Sequence, residues 1–363
     1  MIIDSLSTYS RPVLTSALYG LTAAATEDSV KATIKWSDGT KIYETDLTVA
    51  SGTATLYDVG EILRHALEAE GKSCGSFTIA IGTKSATINV VFCDRKASSA
   101  IVSKRAFLTV LPSQVYFQKC EFSVASPLQD LEEPLRLAIV ARTCKGNFKR
   151  YDYQGNDSPL QFTENGVAMG SFSDLLDDIR EIEEEKNTEE TDPELPVGLV
   201  SLSVSLGKKS KIFYFIDREP DVVFYFRNCF NAIEILPVWG VIETKWDVQN
   251  SKAVSMGKVL TYDHSRTISY KVKTAGIKAM EADALAQISF SKEVYVKTVD
   301  GDPVRVVITQ NDFNTTTEKN KMNSAEISFE ADSLLPLVHT DVDREISSDE
   351  NGIFSSPFAT EFS

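Results

Sequence analysis

The sequence has few of the residues on which metal sites and nucleophilic catalysis depend. It contains 3 histidines and 5 cysteines in 363 residues, with no Cys-x-x-Cys pair, no His-Glu-x-x-His string and no Cys/His cluster. Glycine-rich phosphate-binding strings and the Gly-x-Ser-x-Gly elbow are missing as well. We therefore expect no metal site, no cofactor and no catalytic residues, and a protein that is not an enzyme.

Positive charge and long apolar runs are also scarce. Lys and Arg number 37 against 52 Asp and Glu, which gives a formal net charge of −15. Nucleic acid and anionic membrane surfaces need clustered bases, so neither is an expected partner. No apolar run approaches the roughly 18–20 residues of a membrane span. The amino-terminal residues also lack the basic start and unbroken apolar run of a signal peptide, which favours a reducing compartment and free thiols.

The clearest pattern that is present is an internal repeat. The segments LYDVGEIL, from Leu56, and MGSFSDLL, from Met169, align without gaps. In each, a capping residue (Asp58 or Ser171) precedes apolar residues at helical spacing. Each predicted helix is followed by a hairpin segment of 19 residues that ends in Asp-Arg. A weaker likeness before the helices completes a duplicated strand–strand–helix–strand–strand unit.

The alignment also pairs individual core residues of the two copies. It matches Ile62 with Leu175, Leu63 with Leu176, and Ile79 with Leu202. Gly71 is the expected stop of the first helix. If the first hairpin turns at Thr83-Lys84, then Cys74 and Cys93 face each other across it.

These patterns predict a mainly β, α+β protein with one helix per module. Its four parts are a first module at 1–120 with a helix near 59–69, a second copy at 121–235 with an acidic loop at 183–194, a third module at 236–335 with a helix near 277–288, and an extended arm at 336–363. The third module is a possible degraded copy. The acidic loop has too little apolar surface to fold, so a solvated loop is the simplest interpretation.

Two aromatic-rich segments are candidates for contacts with other chains. The most apolar stretch, Asp221–Trp246, could form a buried strand pair or a subunit interface. Spaced phenylalanines on the polar arm suggest docking on a partner, and a free tail is the alternative. The interface candidates are Phe224, Phe226, Phe230, Trp239, Phe354, Phe358 and Phe362.

Two parts of the chain resemble tail proteins of Bacteroidetes-type phages and prophages. The start RPVLTSALYG followed by GTATLYDVGEILRHALE is similar to their opening, and FYFRNCFNAIEIL (Phe224–Leu236) is similar to their F-x-N-x-x-G-x-x-E strand. Asn231 or Ala232 stands where those proteins have glycine. The resemblance implies a structural subunit of a virion tail or baseplate, assembled in the bacterial cytoplasm as a ring with other tail or baseplate proteins.

Two other classes of function remain open at this level. A bacterial surface adhesin or glycan-binding β-sandwich protein would need export and exposed aromatic platforms, for which Trp36, Trp239 and Trp246 are the candidates. A hydrolase with a pair of carboxylates would need a deep pocket. The corresponding locations are the cell surface and the cytoplasm.

Overall fold

The computed structural model describes residues 2–6, 12–94, 106–109, 114–117, 121–126, 135–155, 159–160, 167–186, 194–255, 258–277, 285–297, 302–314 and 323–331. Its helices are α1 (Ile3–Leu6), α2 (Val59–Ala69), α3 (Phe172–Lys186) and α4 (Gln287–Phe290). Strands predominate, which confirms the prediction of a mainly β, α+β protein.

The strands fall into two groups. Those of the first two-thirds of the chain are β1 (Val13–Leu14), β2 (Gly20–Ala24), β3 (Ser29–Trp36), β4 (Lys41–Thr48), β5 (Thr53–Tyr57), β6 (Cys74–Ile81), β7 (Lys84–Val91), β8 (Gln114–Phe117), β9 (Glu121–Ala125), β10 (Arg136–Thr143), β11 (Phe148–Gln154), β12 (Val167–Ser171), β13 (Pro196–Leu206) and β14 (Lys209–Ile216). The remainder are β15 (Val222–Arg227), β16 (Ile233–Val238), β17 (Val241–Ser255), β18 (Lys258–Ile277), β19 (Val294–Lys297), β20 (Val304–Asn314) and β21 (Asn323–Ala331).

Unit 1 consists of β1–β7 with α2. Its five-stranded sheet has the order β1-β7-β6-β3-β4, and β2 pairs separately with β5. The short edge strand β1 runs parallel to β7, whereas the other pairs of the sheet are antiparallel. Alternating residues of β6, including Phe77, Ile79 and Ile81, pack with Leu63 and Leu67 of α2 in one buried cluster. The period of two in β6 and the helical spacing in α2 therefore form one core.

Unit 2 consists of β8–β14 with α3. Its sheet has the order β8-β14-β13-β10-β11, β8 runs parallel to β14, and β9 pairs separately with β12. Leu175 and Ile179 of α3 pack with Leu202 and Val204 of β13. If the strands of each unit are numbered from its first strand in chain order, both sheets have the order 1-7-6-3-4, with strands 1 and 7 parallel and strands 2 and 5 paired separately.

The large sheet contains the remaining strands, in the order β16-β15-β19-β20-β21-β18-β17. This order differs from that of the two five-stranded sheets, so it gives no support to a third copy. Strands β15 and β16, which the sequence pattern places at the end of the second copy, belong to this sheet. Most of the helix predicted near 277–288 lies outside the described residues; of that range, Ile277 ends β18 and Gln287 begins the single turn α4.

Helix α2 has the predicted bounds, but its first turn is not capped in the predicted way. Asp58 is at the N-cap position in the left-handed region, with φ +55°, and its side chain makes no capping hydrogen bond. The predicted stop at Gly71 is confirmed: its N–H donates to Glu68 O at 3.0 Å, and Lys72 N–H donates to Leu67 O at 2.8 Å. This is the Schellman pattern, which favours glycine because φ is positive.

The start of α2 is held close to the chain that precedes β2. A Cβ placed on Gly60 would lie 2.1 Å from Thr15 O and 2.8 Å from Leu18 O. Gly60 N–H donates to Leu18 O at 2.7 Å, so the absence of a side chain lets the helix approach this backbone. The glycine in LYDVGEIL therefore has a packing role.

The hairpins keep the predicted inward faces but differ in register. Ile81 is opposite Lys84, so Cys74 faces Val91 and not Cys93. Leu206 is opposite Lys209 in the second hairpin, and matching the two turns aligns Ile79 with Val204. This alignment is two residues from the predicted one. A shift of two leaves each side chain on the same face, because the side-chain period of a strand is two.

Candidate interaction sites

The predicted interface residues divide into three groups. Phe224, Phe226 and Phe230 are fully buried in the core of the large sheet, with Phe224 edge-on to Phe329 at 5.7 Å between ring centroids. They are core residues, which corrects their interpretation as interface candidates. Trp239 is half-buried and its indole N–H donates to Arg218 O at 3.0 Å. Phe354, Phe358 and Phe362 lie outside the described residues.

The hairpin of β17 and β18 extends beyond the sheet that carries it. β21 pairs with β18 only along Ser269–Ile277. We call the remaining two-stranded part, residues 246–268, the ribbon. In the part of the chain that the structure describes, neither backbone edge of the ribbon has a partner strand. At about 3.3 Å per residue, the ribbon extends about 30 Å beyond the sheet.

Apolar side chains are exposed along the ribbon. Trp246 is 47 % exposed, Val248 53 % and Val259 65 %. Trp246 pairs with Ile268 and continues the face that is buried at Tyr270 and Val272. An isolated two-stranded ribbon is at best marginally stable in water. Its exposed apolar face is therefore the strongest candidate interaction surface among the described residues.

A second candidate site is the turn between β15 and β16, which contains the residues that match F-x-N-x-x-G-x-x-E. Asn228 Oδ1 accepts from Phe230 N–H at 2.9 Å and Ala232 N–H at 3.2 Å, and Asn228 Nδ2 donates to Glu234 Oε2 at 3.1 Å. Asn231 has φ +57°. It therefore occupies the place of the glycine, since Asn tolerates the left-handed region better than other non-glycine residues.

This turn connects the large sheet to both units. Asn231 Nδ2 donates to Lys72 O of unit 1 at 3.1 Å, and Asp94 N–H donates to Cys229 O at 3.2 Å. On its other side, Tyr116 Oη of unit 2 donates to Ile235 O at 2.9 Å. The motif residues therefore lie at the junction of the three sheets.

A buried polar chain passes through the same junction. Lys211 Nζ of β14 donates to Thr109 Oγ1 at 2.9 Å, and that hydroxyl donates to Glu234 Oε1 at 2.6 Å. Lys211 and Glu234 are 5 % and 3 % exposed. Asn228 Nδ2 completes the chain by donating to Leu108 O at 2.8 Å. Buried charges need such partners, because an unpaired charge in a low-dielectric interior is strongly unfavourable.

A cleft of about 600 Å³ opens between α2 and the residues after α4. Its charged lining is paired internally: Arg227 Nε lies 3.0 Å from Glu293 Oε2, and Lys292 pairs with Glu68 of unit 1. The volume is in the range of small-molecule sites, about 300–1,000 Å³. The Arg227–Glu293 pair lies within the large-sheet side of the cleft, whereas the Lys292–Glu68 pair crosses the cleft and connects unit 1 to that side.

The predicted acidic loop is partly ordered. Residues 183–186 belong to α3, and Glu183 is buried, with its carboxylate paired to Lys149. Thr143 Oγ1 and Asn147 Nδ2 each donate to Glu194 Oε1 at 2.6 Å, and these bonds lower the pKa of Glu194. The solvated-loop prediction is therefore wrong at both ends of 183–194, and residues 187–193 between them lie outside the described part.

Replacing Tyr151 with phenylalanine should remove part of the alkaline sensitivity of folding. Burial, with a further contribution from Glu183, raises the pKa of Tyr151 to about 12, and its Oη has no hydrogen-bond partner among the described residues. A raised folded-state pKa means that the stability contribution is present below pH 10 and is lost as pH rises toward 12. Urea unfolding between pH 9 and 12 should decline less for the variant, with Tyr19→Phe, an exposed tyrosine, behaving like the unmodified protein.

Substitutions of Asn231 should separate its backbone role from its side-chain role. Asn231→Gly keeps the left-handed conformation and loses the bond to Lys72 O, so we expect a change of less than about 1 kcal/mol in the free energy of unfolding. Asn231→Ala loses the same bond and adds roughly 1–2 kcal/mol of left-handed strain. Thermal and urea unfolding would measure both. Equal losses for the two variants would contradict the assignment of Asn231 to the glycine position.

The sequence did not reveal the participants of the polar chain. Lys211 is part of LGKKSK, a basic turn with surface character, yet the alternation of β14 directs it inward. No pattern in the sequence around Thr109 marks it as a member of this polar chain. Only the spacing of Asn228 and Glu234 in F-x-N-x-x-G-x-x-E pointed to this region.

Clusters of metal-binding side chains are scarce in the described part of the chain. No group of three or more His, Cys, Asp or Glu residues there could hold a metal ion. Cys74, Cys93, Cys144 and Cys229 form no disulfide with one another. Of the helices within the described ranges, none is long and apolar enough to cross a membrane.

Comparison with known proteins gives likeness to solved structures only. No protein-family model matches the chain, and no curated protein matches it. One similar structure is a virion of a native gene transfer agent particle, at 17 % identity over 33 % of this chain and 96 % of that one, with a TM-score of 0.24. Another is the tail of an empty gene transfer agent particle with C6 symmetry, at 17 % identity over the same shares, with a TM-score of 0.25.

Proposed function

We propose that this chain is a non-enzymatic structural subunit of a phage or phage-like tail or baseplate assembly, acting through protein–protein contacts. The observation that carries the proposal is the ribbon, which exposes Trp246, Val248 and Val259 on a two-stranded element without flanking strands among the described residues. Such an element loses apolar exposure only when another surface covers it. A subunit that assembles with its neighbours supplies that surface.

The tail or baseplate part of the proposal is supported by the sequence resemblance. In the turn that carries F-x-N-x-x-G-x-x-E, Asn228 and Glu234 are hydrogen-bonded to each other. Asn231, at the glycine position of the motif, has a positive φ, which is the backbone conformation that favours glycine. Each residue type of the motif thus has a physical role at its position. The departure from glycine at 231 keeps the backbone conformation that the motif requires.

The proposal includes an internal duplication of units 1 and 2. Both sheets have the same strand order and a parallel edge pair. Their first hairpins share a turn: Trp36 N–H donates to Thr40 O and Gly39 N–H to Trp36 O, as Thr143 N–H does to Asn147 O and Gly146 N–H to Thr143 O. A subunit with two such units would present twice as many units in a ring as there are subunits.

The expected partners are other tail or baseplate proteins and further copies of this chain in a ring. The place of action would be the virion, after assembly in the bacterial cytoplasm. Trp239 and the phenylalanines of the arm remain proposed contacts with these partners. β21, the last described strand before the arm in the sequence, pairs with β18 and ends beside the base of the ribbon.

The test is the assembly state of the full chain and of a chain truncated after Asp341. Light scattering across concentration should show self-association of the full chain, or its retention by an immobilised tail protein, and weaker association after truncation. Each unit should stay folded by circular dichroism. If both chains are strict monomers at high concentration and no tail protein retains them, the proposal fails and glycan binding becomes the better explanation of the exposed tryptophan.

A further inference from the structure

We infer that the ribbon of one copy docks on helix α3 of a second copy of this chain. The inference rests on the proposed function and identifies the contact through which subunits would associate. It arises from three observations: an element that protrudes without a flanking strand among the described residues, its basic charge in an acidic protein, and an acidic helix on unit 2 that has no equivalent charge on unit 1.

The charge of the hairpin is opposite to that of the rest of the chain. Residues 241–277 contain 6 bases and 3 acids, a net charge of +3, and the ribbon itself (246–268) contains 3 bases and 2 acids, a net charge of +1, whereas the whole chain has −15. Lys271 and Lys273 near the sheet are paired with Glu326 and Glu243. Toward the tip, Lys252 and Lys258 are exposed, and neither forms an ion pair with another described residue. The free end of the ribbon is thus a basic surface beside apolar side chains.

Helix α3 offers the complementary surface. Its 15 residues contain 7 acids and 2 bases, a net charge of −5. Only Glu183 among these acids is buried, and the exposed ones lie on the outer face: Asp174, Asp177, Asp178, Glu181, Glu184 and Glu185. The corresponding helix α2 has 2 acids and 1 arginine, which is nearly balanced. Opposite potentials favour α3 over α2 as the docking surface.

The geometry of this contact leads to closed or open assemblies. The ribbon and α3 are different surfaces, so the contact joins the ribbon of one copy to the helix of the next. Such a heterologous contact builds a ring if the rotation closes and a filament if it does not. The reach of about 30 Å lets the ribbon cross to a neighbouring molecule.

A photo-crosslinking experiment on the full chain tests the contact. Val259 is replaced by p-benzoyl-phenylalanine in unlabelled protein, which is mixed with ¹⁵N-labelled protein and irradiated at low salt. Mass spectrometry should find the ribbon peptide joined to a labelled peptide from residues 172–186. The same photoreactive residue at Tyr19, an exposed site on unit 1, should give no product with 172–186. Products that join the ribbon to other segments, or none while the chain self-associates, would overturn the inference and leave the structural proposal standing.

Charge reversal supplies a second measurement. Lys252→Glu with Lys258→Glu should weaken self-association by about tenfold at low salt, and less at high salt, where charges are screened. The matched control is Lys208→Glu with Lys209→Glu, the same change at the exposed tip of the β13–β14 hairpin. Mixing the ribbon variant with Glu181→Lys/Glu184→Lys protein should restore association. Equal weakening by both pairs would mean that net charge alone acts, and would overturn the inference. Absence of any self-association in the unmodified chain would count against the proposed function itself.

Discussion

Replacing Glu234 with alanine should lower the free energy of unfolding by about 3–5 kcal/mol, because it removes the carboxylate from a buried network of charged and polar groups. Thr109 Oγ1 and Asn228 Nδ2 both donate to this carboxylate, and Lys211 is bound to the same threonine hydroxyl. The ammonium of Lys211 would remain almost fully buried. Urea unfolding at neutral pH measures the loss.

Three comparisons make this prediction specific. Glu234→Gln keeps an acceptor for Thr109 and should have a smaller effect. Glu44→Ala removes an exposed carboxylate that pairs with Lys31 and Lys41, and should change stability little. The double change Glu234→Leu with Lys211→Met removes both charges and should recover much of the loss. If Glu234→Ala is no worse than Glu44→Ala, the polar chain does not stabilise the junction.

Truncating the buried leucines of the two helices should give the second large effect. Leu63→Ala and Leu175→Ala should each cost about 2–5 kcal/mol, as deletions in a close-packed core do. Leu63 and Leu175 are 0 % and 3 % exposed, and each packs on the sheet of its own unit. Unfolding in urea, followed by circular dichroism, would give both values.

The matched control is the neighbouring position of each helix. Ile62 and Leu176 are only partly buried, so alanine there should cost roughly 1–2 kcal/mol. The sequence alignment pairs Leu63 with Leu176, whereas burial pairs Leu63 with Leu175. A larger loss for Leu176→Ala than for Leu175→Ala would show that α3 presents a different face to its sheet.

Local features of the fold could be predicted because short-range chemistry determines them. The helical spacing of Val59, Leu63 and Leu67 and the glycine at 71 define α2, and the period of two defines the inward face of each hairpin. The asparagine–glutamate spacing in the β15–β16 turn also indicates a structured region, although it does not reveal the contacts of this turn with units 1 and 2. In each case, the residues that matter are neighbours in the sequence.

The tertiary structure decided everything that depends on distant partners. Phe224, Phe226 and Phe230 are core residues because β19 and β21 cover them, which their own segment does not reveal. Asp58 makes no side-chain capping bond, and its backbone is left-handed instead of in the extended region typical of N-cap residues. The capping preference is an average over helix starts, and this start is held by Gly60 against the preceding loop.

The amino-acid sequence alone indicates that the protein is mainly β, where α2 lies, and which faces of the hairpins are apolar. The burial of Lys211, the ion pair of Glu183 and the protrusion of the ribbon beyond the large sheet depend on how distant segments pack together. The physical reason is that periodicity reports which side chains avoid water. It does not report which strand, 50 or 100 residues away, will cover them, since strand pairing depends on competition among all edges of the chain.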